Sequence, residues 1–133
     1  MDGGLATPIV RSESQSLCEI AEEVRTLAER AAKRLLNVSE ILGGSFSISN
    51  LGGYGVEQFD AINNPPQCAI LALGCAKPRM TVSATGEPRI ATVLRATMSV
   101  DHRAIDGTTC AAFFATLSRK IEQPQGLFGA TLD

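Results

Sequence analysis

An uninterrupted apolar run from Cys68 to Cys75 is the feature that most restricts how this chain can fold. Both faces of a strand with such a sequence are apolar, so both faces must be covered. Strands of this kind lie inside a sheet rather than at its exposed margin. We therefore predict a fully buried strand here, and the remaining elements have to be arranged around it.

Two other segments show the alternation of strands. In Ser45 to Leu51, Phe46 and Ile48 alternate with serines, which predicts that the apolar side of a half-buried strand is turned inward. Alternating apolar residues also run from Ile90 to Val100 and form the longest strand signal in the chain. A turn at Ala84 to Pro88 separates this strand from an earlier sheet segment.

Helical spacing appears near both ends of the chain. Ser14 or Ser16 can cap a first helix, whose apolar stripe is Leu17, Ile20, Ala21, Val24, Leu27, Ala28 and Ala31. A closing helix is predicted from about Gly107 to Glu122, before Pro124. Asn37 to Leu42 is predicted as a short helical turn, and Leu5 to Arg11 as an edge strand or an extended segment. This order predicts an α/β fold, an α+β two-layer sandwich with helices on one face of a mixed sheet.

The size and charge of the chain narrow the function classes. Its 133 residues fit one domain, and its net charge of -2 opposes a broad electrostatic grip on nucleic acid or an anionic membrane. Without a signal-like start or a membrane-length apolar run, we expect a cytoplasmic or mitochondrial matrix protein rather than a secreted one. The four cysteines, Cys18, Cys68, Cys75 and Cys110, are expected to be reduced core residues, with disulfide or metal roles as the alternatives.

The single histidine, His102, lies in Asp101-His102-Arg103-Ala104-Ile105-Asp106-Gly107, between the long strand and the closing helix. Imidazole can accept and return a proton near neutral pH, and such junctions expose a side chain on rigid backbone. A lone histidine between acidic residues can also be an ordinary hydrogen-bonding residue. Spacing alone leaves both interpretations open.

Four motifs, in order, resemble those of the dihydrolipoamide acyltransferases, the core components of 2-oxoacid dehydrogenase complexes. Asp101 to Gly107 matches the family's DHRxxDG signature, and Gly43 to Gly52 resembles its GG-T-F-T-I-S-N-L-G segment. Ile62 to Gln67 is similar to its INPPQ stretch, and Gly4 to Arg11 to its GLxTPVVR start. The resemblance covers essentially the whole chain and implies a fold like that of chloramphenicol acetyltransferase.

The resemblance implies transfer of an acyl group between dihydrolipoamide and coenzyme A, with no metal. Ser49 to Gly55 and Ile62 to Gln67 resemble the pyruvate dehydrogenase branch of the family more than the succinyl or branched-chain branches, which implies acetyl as the acyl group. By matching positions, His102 is the general base that takes the thiol proton. Ser49 donates a hydrogen bond to the oxyanion, and Ser47 on the same strand face is the competing serine. Asp106 organises the His102 loop. The residues that contact coenzyme A are not identified in this way.

The resemblance also carries expectations about assembly. The chain corresponds to the C-terminal portion of the family's catalytic domain, with the lipoyl and subunit-binding domains absent. In the family, three subunits form a trimer and each active site lies between two of them. The trimers work in complexes that also contain decarboxylase and dihydrolipoamide dehydrogenase components. We therefore expect self-association, as a homotrimer or a larger core. The alternative is an inactive, truncated core module that only self-associates. One local departure is Lys33-Arg34-Leu35, which replaces a glycine-containing loop of the family.

Overall fold

The computed structural model describes residues 7–11 and 15–127. The chain divides into two compact units, one formed by Met1–Gly44 and Ala111–Asp133 and the other by Ser45–Cys110. Among the residues described, no helix is both long and apolar enough to cross a membrane. All three predicted site residues, Ser49, His102 and Asp106, belong to the second unit.

A three-stranded mixed sheet forms the centre of the second unit. Its strands are β1 (Phe46–Asn50), β2 (Ala69–Leu73) and β5 (Ala96–Val100). They lie in the order β1-β2-β5, with β1 parallel and β5 antiparallel to β2. Three of the five β2 residues, Ala69, Leu71 and Ala72, are at most 5% exposed. A strand is confirmed at the predicted place and is the central one, but Ile70 and Leu73 are half-buried, so the prediction of full burial is only partly correct.

The remaining strands pair as an antiparallel hairpin of β3 (Lys77–Val82) and β4 (Pro88–Val93). Its turn falls at the predicted position, but the prediction of one long strand over Ile90 to Val100 is wrong. That segment breaks at Leu94 and Arg95 into β4 and β5, which belong to different sheets. The Gly74 amide donates to the Arg95 carbonyl over 3.0 Å, so the chain leaves the hairpin here and joins β2.

The apolar side of β1 is not the more buried side, contrary to expectation. Phe46 and Ile48 are 40% and 61% exposed, whereas Ser47 and Ser49 are half-buried. The reason is the segment that follows β1, which is hydrogen-bonded to the serine side of the sheet through Ser47 and Thr97. Alternation predicts which residues share a face, but tertiary covering decides which face is buried.

Helix α1 (Leu17–Ala32) begins as predicted at Ser16, whose hydroxyl accepts the Glu19 amide in a capping box. The other predicted cap, Ser14, lies outside the described residues. Only Leu27 and Ala31 of the apolar stripe are buried, while Leu17 and Val24 are 42% and 47% exposed. The buried residues lie near the end of the helix, where Arg30 pairs with Glu40 of the short helical turn Val38–Glu40.

The C-terminus of α1 is a Schellman motif built on a non-glycine residue. The Leu35 amide donates to the Arg30 carbonyl at 2.8 Å and the Arg34 amide to the Ala31 carbonyl at 3.0 Å. Arg34 has φ of 56°, the left-handed conformation that this motif usually assigns to glycine. The replacement noted in the sequence is therefore accommodated at a conformational cost.

Two further predictions for the flanking elements can be compared with the structure. Helix α2 spans Gly107–Glu122, as predicted, and a 3-10 turn follows at Pro124–Leu127. Thr7 to Arg11 is not a strand, and the Ile9 amide donates to the Glu40 carbonyl at 2.8 Å. The extended alternative is correct for this part, while Leu5 and Ala6 lie outside the described residues.

The segment after β1 is fixed to the hairpin at Val56 and Glu57. The Cys75 amide donates to the Val56 carbonyl at 2.7 Å. The Glu57 carboxylate pairs with Lys77 at 3.1 Å and with Arg79. The hydrogen bond from Lys77 is the main cause that lowers the pKa of Glu57. These pairs are substantially exposed, so they fix geometry more than they add stability.

The cysteines only partly follow the prediction. All four are unpaired thiols, and Cys68, Cys75 and Cys110 are half-buried. Cys18 is exposed, so the prediction of a core residue is wrong there. It lies in the first turn of α1, the part of the helix that remains largely uncovered.

Candidate active site

The turn that carries His102 continues directly from β5. The Asp101 amide donates to the Cys68 carbonyl over 2.9 Å, which extends the pairing of β5 with the β2 side by one residue. The Asp101 carbonyl then accepts the amides of Ala104 and Ile105 at 2.9 and 3.0 Å. His102 therefore lies on backbone that is hydrogen-bonded on both sides.

Asp101 and Arg103 reinforce this turn, a contribution that the sequence reasoning missed. The Asp101 carboxylate accepts the Arg103 amide at 3.0 Å, and it accepts the guanidinium at 2.6 Å in the shortest of three contacts. The hydrogen bonds from the Arg103 side chain, followed by the one from its amide, lower the pKa of Asp101 to about 2. The two residues on either side of His102 thus form an ion pair with each other, which stabilises the turn.

Asp106 caps helix α2. Its Oδ1 atom accepts the Thr109 amide at 2.7 Å, and its carbonyl accepts the Cys110 amide at 3.1 Å. The Thr109 amide is also the main cause that lowers the pKa of Asp106. The carboxylate therefore fixes the place where the His102 turn enters the helix, while Asp101 organises the turn itself.

His102 is exposed and makes no hydrogen bond to any other residue that the structure describes. Because an exposed imidazole can bond to water, the structure by itself leaves both interpretations of His102 open. An accessible imidazole on fixed backbone is compatible with a group that exchanges a proton with a ligand.

The two serines of β1 differ in their hydrogen bonding. The Ser47 hydroxyl donates to Oε1 of Gln67, so its proton is already used. Within residues 7–11 and 15–127, Ser49 has no side-chain hydrogen bond and is half-buried. Of the two, Ser49 has the hydroxyl that remains able to donate to a ligand.

Strand register separates Ser49 from His102 within one chain. Ser49 lies opposite Ala72 of β2, whereas the His102 turn begins where Asp101 meets Cys68, four residues earlier along β2. With about 3.3 Å per residue and about 4.8 Å between strands, the Cα atoms of Ser49 and Asp101 lie roughly 16 Å apart. The structure therefore brings His102 and Asp106 into one turn but does not bring Ser49 to them.

No group of three potential metal ligands was found among the side chains that the structure describes.

Comparison with known proteins gives a family match over nearly the whole chain. Residues 1–129 match the family described as 2-oxoacid dehydrogenases acyltransferase (catalytic domain). One relative is the dihydrolipoyllysine-residue acetyltransferase component of the pyruvate dehydrogenase complex of Rhizobium meliloti. It is 44% identical over 126 residues, which is 94% of this chain and 28% of the relative. This chain thus spans less than a third of that protein.

Solved structures give the same result for the fold. The dihydrolipoamide acetyltransferase of Azotobacter vinelandii is 31% identical with a TM-score of 0.84, over 90% of this chain and 49% of that one. The cubic core of the pyruvate dehydrogenase multienzyme complex is 30% identical with the same TM-score and coverage. The resemblance carried by the motifs and the predicted α/β fold class are both confirmed.

Proposed function

Since this chain belongs to the 2-oxoacid dehydrogenase acyltransferase family, we propose that it transfers an acyl group between the thiols of dihydrolipoamide and coenzyme A. The observation that carries this proposal is the family match over residues 1–129. An accessible imidazole, and a serine hydroxyl without a hydrogen bond in the described part of the chain, support it at the motif positions.

His102 acts as the general base in this reaction. A thiol with a pKa near 8.5 is only a few per cent ionised at neutral pH. The imidazole accepts the thiol proton while the sulfur attacks the thioester carbonyl carbon. When the tetrahedral intermediate collapses, its bond to the leaving sulfur breaks and His102 returns the proton to that sulfur. The acyl group changes carrier and no redox change occurs.

Ser49 stabilises the oxyanion that forms between these two steps. Its hydroxyl donates to the carbonyl oxygen as negative charge develops there, and one such donor typically contributes roughly 3 to 4 kcal/mol. Ser47 is the weaker candidate because its proton is donated to Gln67. Asp106 has no chemical step and holds the turn against α2 through the Thr109 amide.

The Azotobacter protein supports this assignment by spacing. A serine, a histidine and an asparagine four residues after that histidine were studied for their roles in its catalytic mechanism. Asp106 follows His102 at the same interval. The serine-to-histidine separation in that protein agrees with Ser49 to within one residue and with Ser47 only to within three.

The complete site forms between two copies of the chain. Ser49 and His102 lie too far apart in one copy to act on one thioester without a second copy. Large apolar side chains also remain exposed, among them Met80 at 79% and Ile90 at 76%. We expect a homotrimer or a larger core, and a folded monomer at micromolar concentration in a sedimentation experiment would contradict this.

Acetyl is the proposed acyl group, because similar curated proteins include acetyltransferase components of pyruvate dehydrogenase complexes. In the proposed whole protein, this chain is the C-terminal portion of the catalytic domain and works beside decarboxylase and dihydrolipoamide dehydrogenase components. A bacterial cytoplasm or the mitochondrial matrix is the proposed location, since relatives come from bacteria and from a plant mitochondrial complex.

The test is a thiol-release assay with acetyl-CoA and dihydrolipoamide, run on the wild type and on His102→Ala. We expect turnover by the wild type and a loss of 100-fold to 10,000-fold in the variant, the usual contribution of a positioned base, about 10² to 10⁴. Wild-type turnover no higher than that of His102→Ala would contradict the proposed function for this chain.

A further inference from the structure

Residues 59–67 form a strap across the serine side of the central sheet. At one end, the Thr97 hydroxyl of β5 donates to the Phe59 carbonyl, and at the other end the Ser47 hydroxyl of β1 donates to Gln67. Thr97 lies opposite Ala72 and Ala72 lies opposite Ser49, so all these side chains share one face. Because β1 and β5 are the two outer strands, the strap crosses β2 between them.

The strap is also ordered internally at its Gln67 end. The Asn63 amide group donates to the Gln67 carbonyl at 2.6 Å, and the Gln67 amide donates to the Asn64 carbonyl at 3.0 Å. The backbone of Gln67 is therefore fixed where its side chain meets Ser47. Beneath the strap, Ala72 is only 2% exposed, although its neighbours on this face are small or polar.

Ser49 lies on the face of the sheet that the strap crosses, near one attachment point and two strands from the other. It is two residues from Ser47 along β1 and in the same row of the sheet as Thr97. Both neighbouring hydroxyls donate to the strap, whereas Ser49 does not donate to any described residue. The arrangement leaves one hydroxyl of this face available at a site that is partly shielded from water.

We propose that Thr97 and Gln67 are positioning residues for acyl transfer, acting through Ser49, a role that rests on the function proposed above. By holding the strap, they keep the surroundings of Ser49 fixed while the oxyanion forms. Gln67 also accepts the Ser47 hydroxyl, so that Ser47 does not compete with Ser49 for the oxyanion. Neither residue touches the substrate. A displacement of about 1 Å in such a donor can cost on the order of 100-fold in rate.

Isosteric variants of Thr97 provide the test. Thr97→Val removes the hydroxyl and keeps the shape, and Thr97→Ser keeps the hydroxyl as the matched control. We expect kcat to fall at least tenfold in Thr97→Val and to stay within threefold in Thr97→Ser. KM for both thiol substrates should stay within threefold in both variants, because the residue does not contact them.

The same substitution in a Ser49→Ala protein distinguishes a positioning role of Thr97 from a general structural role. In Ser49→Ala, Thr97→Val should cause no further loss of kcat, because the donor through which it acts is gone. The same loss in both backgrounds, or an unchanged kcat in the wild-type background, would overturn the proposal. If Thr97→Val fails to fold, Gln67→Ala replaces it, with Gln67→Glu as the control that retains the acceptor for Ser47.

The outcomes distinguish this proposal from the function on which it rests. A wild-type protein that turns over no faster than His102→Ala overturns both. An active wild type whose rate is insensitive to Thr97→Val and Gln67→Ala overturns only the role of the strap.

Discussion

Ser47 and Ser49 show how two identical side chains on one strand face come to have different capacities. The Ser47 hydroxyl is consumed by Gln67, while that of Ser49 is unpaired among the described residues. We expect Ser49→Ala to lower turnover about 100-fold to 1,000-fold, the usual cost of one oxyanion donor. Ser47→Ala should cost distinctly less, because it only loosens the strap. Steady-state turnover of the two variants is the measurement, and a larger loss in Ser47→Ala than in Ser49→Ala would make Ser47 the oxyanion donor instead.

Arg34 offers a test of stability that is independent of the active site. Its φ of 56° costs a side chain with a Cβ on the order of 1 kcal/mol, whereas glycine adopts this conformation freely. Arg34→Gly should therefore raise the free energy of unfolding by about 0.5 to 1 kcal/mol, measured by urea denaturation at fixed protein concentration. Lys33→Gly is the matched control. Its φ is -89°, so glycine there should destabilise.

The residues of the candidate site were only partly predictable. His102, Ser49 and Asp106 could be named because the motifs match a family. The attachments at Gln67 and Thr97 could not, although Gln67 lies within a recognised motif. A hydrogen bond between Ser47 and Gln67 depends on how residues 59–67 cross the sheet, and local sequence does not specify that path. Asp101 and Arg103 were missed for a simpler reason, since opposite charges two residues apart are common on exposed surfaces and seldom mark a specific contact.

Among the elements, the His102 turn predicts a dependence on acid. The pKa of Asp101 falls to about 2 in the folded chain through the bonds from Arg103, against an ordinary value near 3.9. A lowered carboxyl pKa stabilises the folded state above about pH 4, and this stabilisation is lost as the pH falls toward 2. Wild type should therefore be more stable than Asp101→Asn at pH 6, with the difference shrinking at pH 3.

Urea unfolding of both proteins across this pH range is the measurement. Asp60→Asn serves as the control, because Asp60 is an exposed carboxylate without a hydrogen bond among the described residues. A wild-type advantage over Asp101→Asn that is the same at pH 3 and pH 6 would contradict the assigned role of the Asp101 carboxylate.

Elements with strong local signals were predicted well. Capping at Ser16 and helical periodicity located α1 and α2 closely, because these signals arise from neighbouring residues. The strand from Ile90 to Val100 was not divided correctly, since alternation continues across the break between β4 and β5. What ends β4 is a contact distant in sequence, the bond from Gly74 to Arg95. Pairing across the sheet, rather than local pattern, fixed this boundary.

For the whole molecule, the separation of Ser49 from His102 predicts complementation between inactive variants. Ser49→Ala and His102→Ala, each nearly inactive alone, should regain activity when their chains are mixed in one assembly. A site between a wild-type serine and a wild-type histidine forms at about a quarter of random interfaces. Co-expression should restore about that share of wild-type turnover, measured per chain. No recovery in a verified mixed assembly would show that each site is built within one copy.

The strand register that separates the two halves of the proposed site also determines when a chain can become active. In the proposed function, a newly synthesised or dissociated copy carries the base without its oxyanion donor, because β1 and the end of β5 hold Ser49 and His102 at different ends of one sheet. We expect such a copy to be inactive toward thioesters until it associates with another. Turnover per chain should therefore decline on dilution before the fold is lost. The turnover per chain would therefore measure the fraction of chains that have assembled.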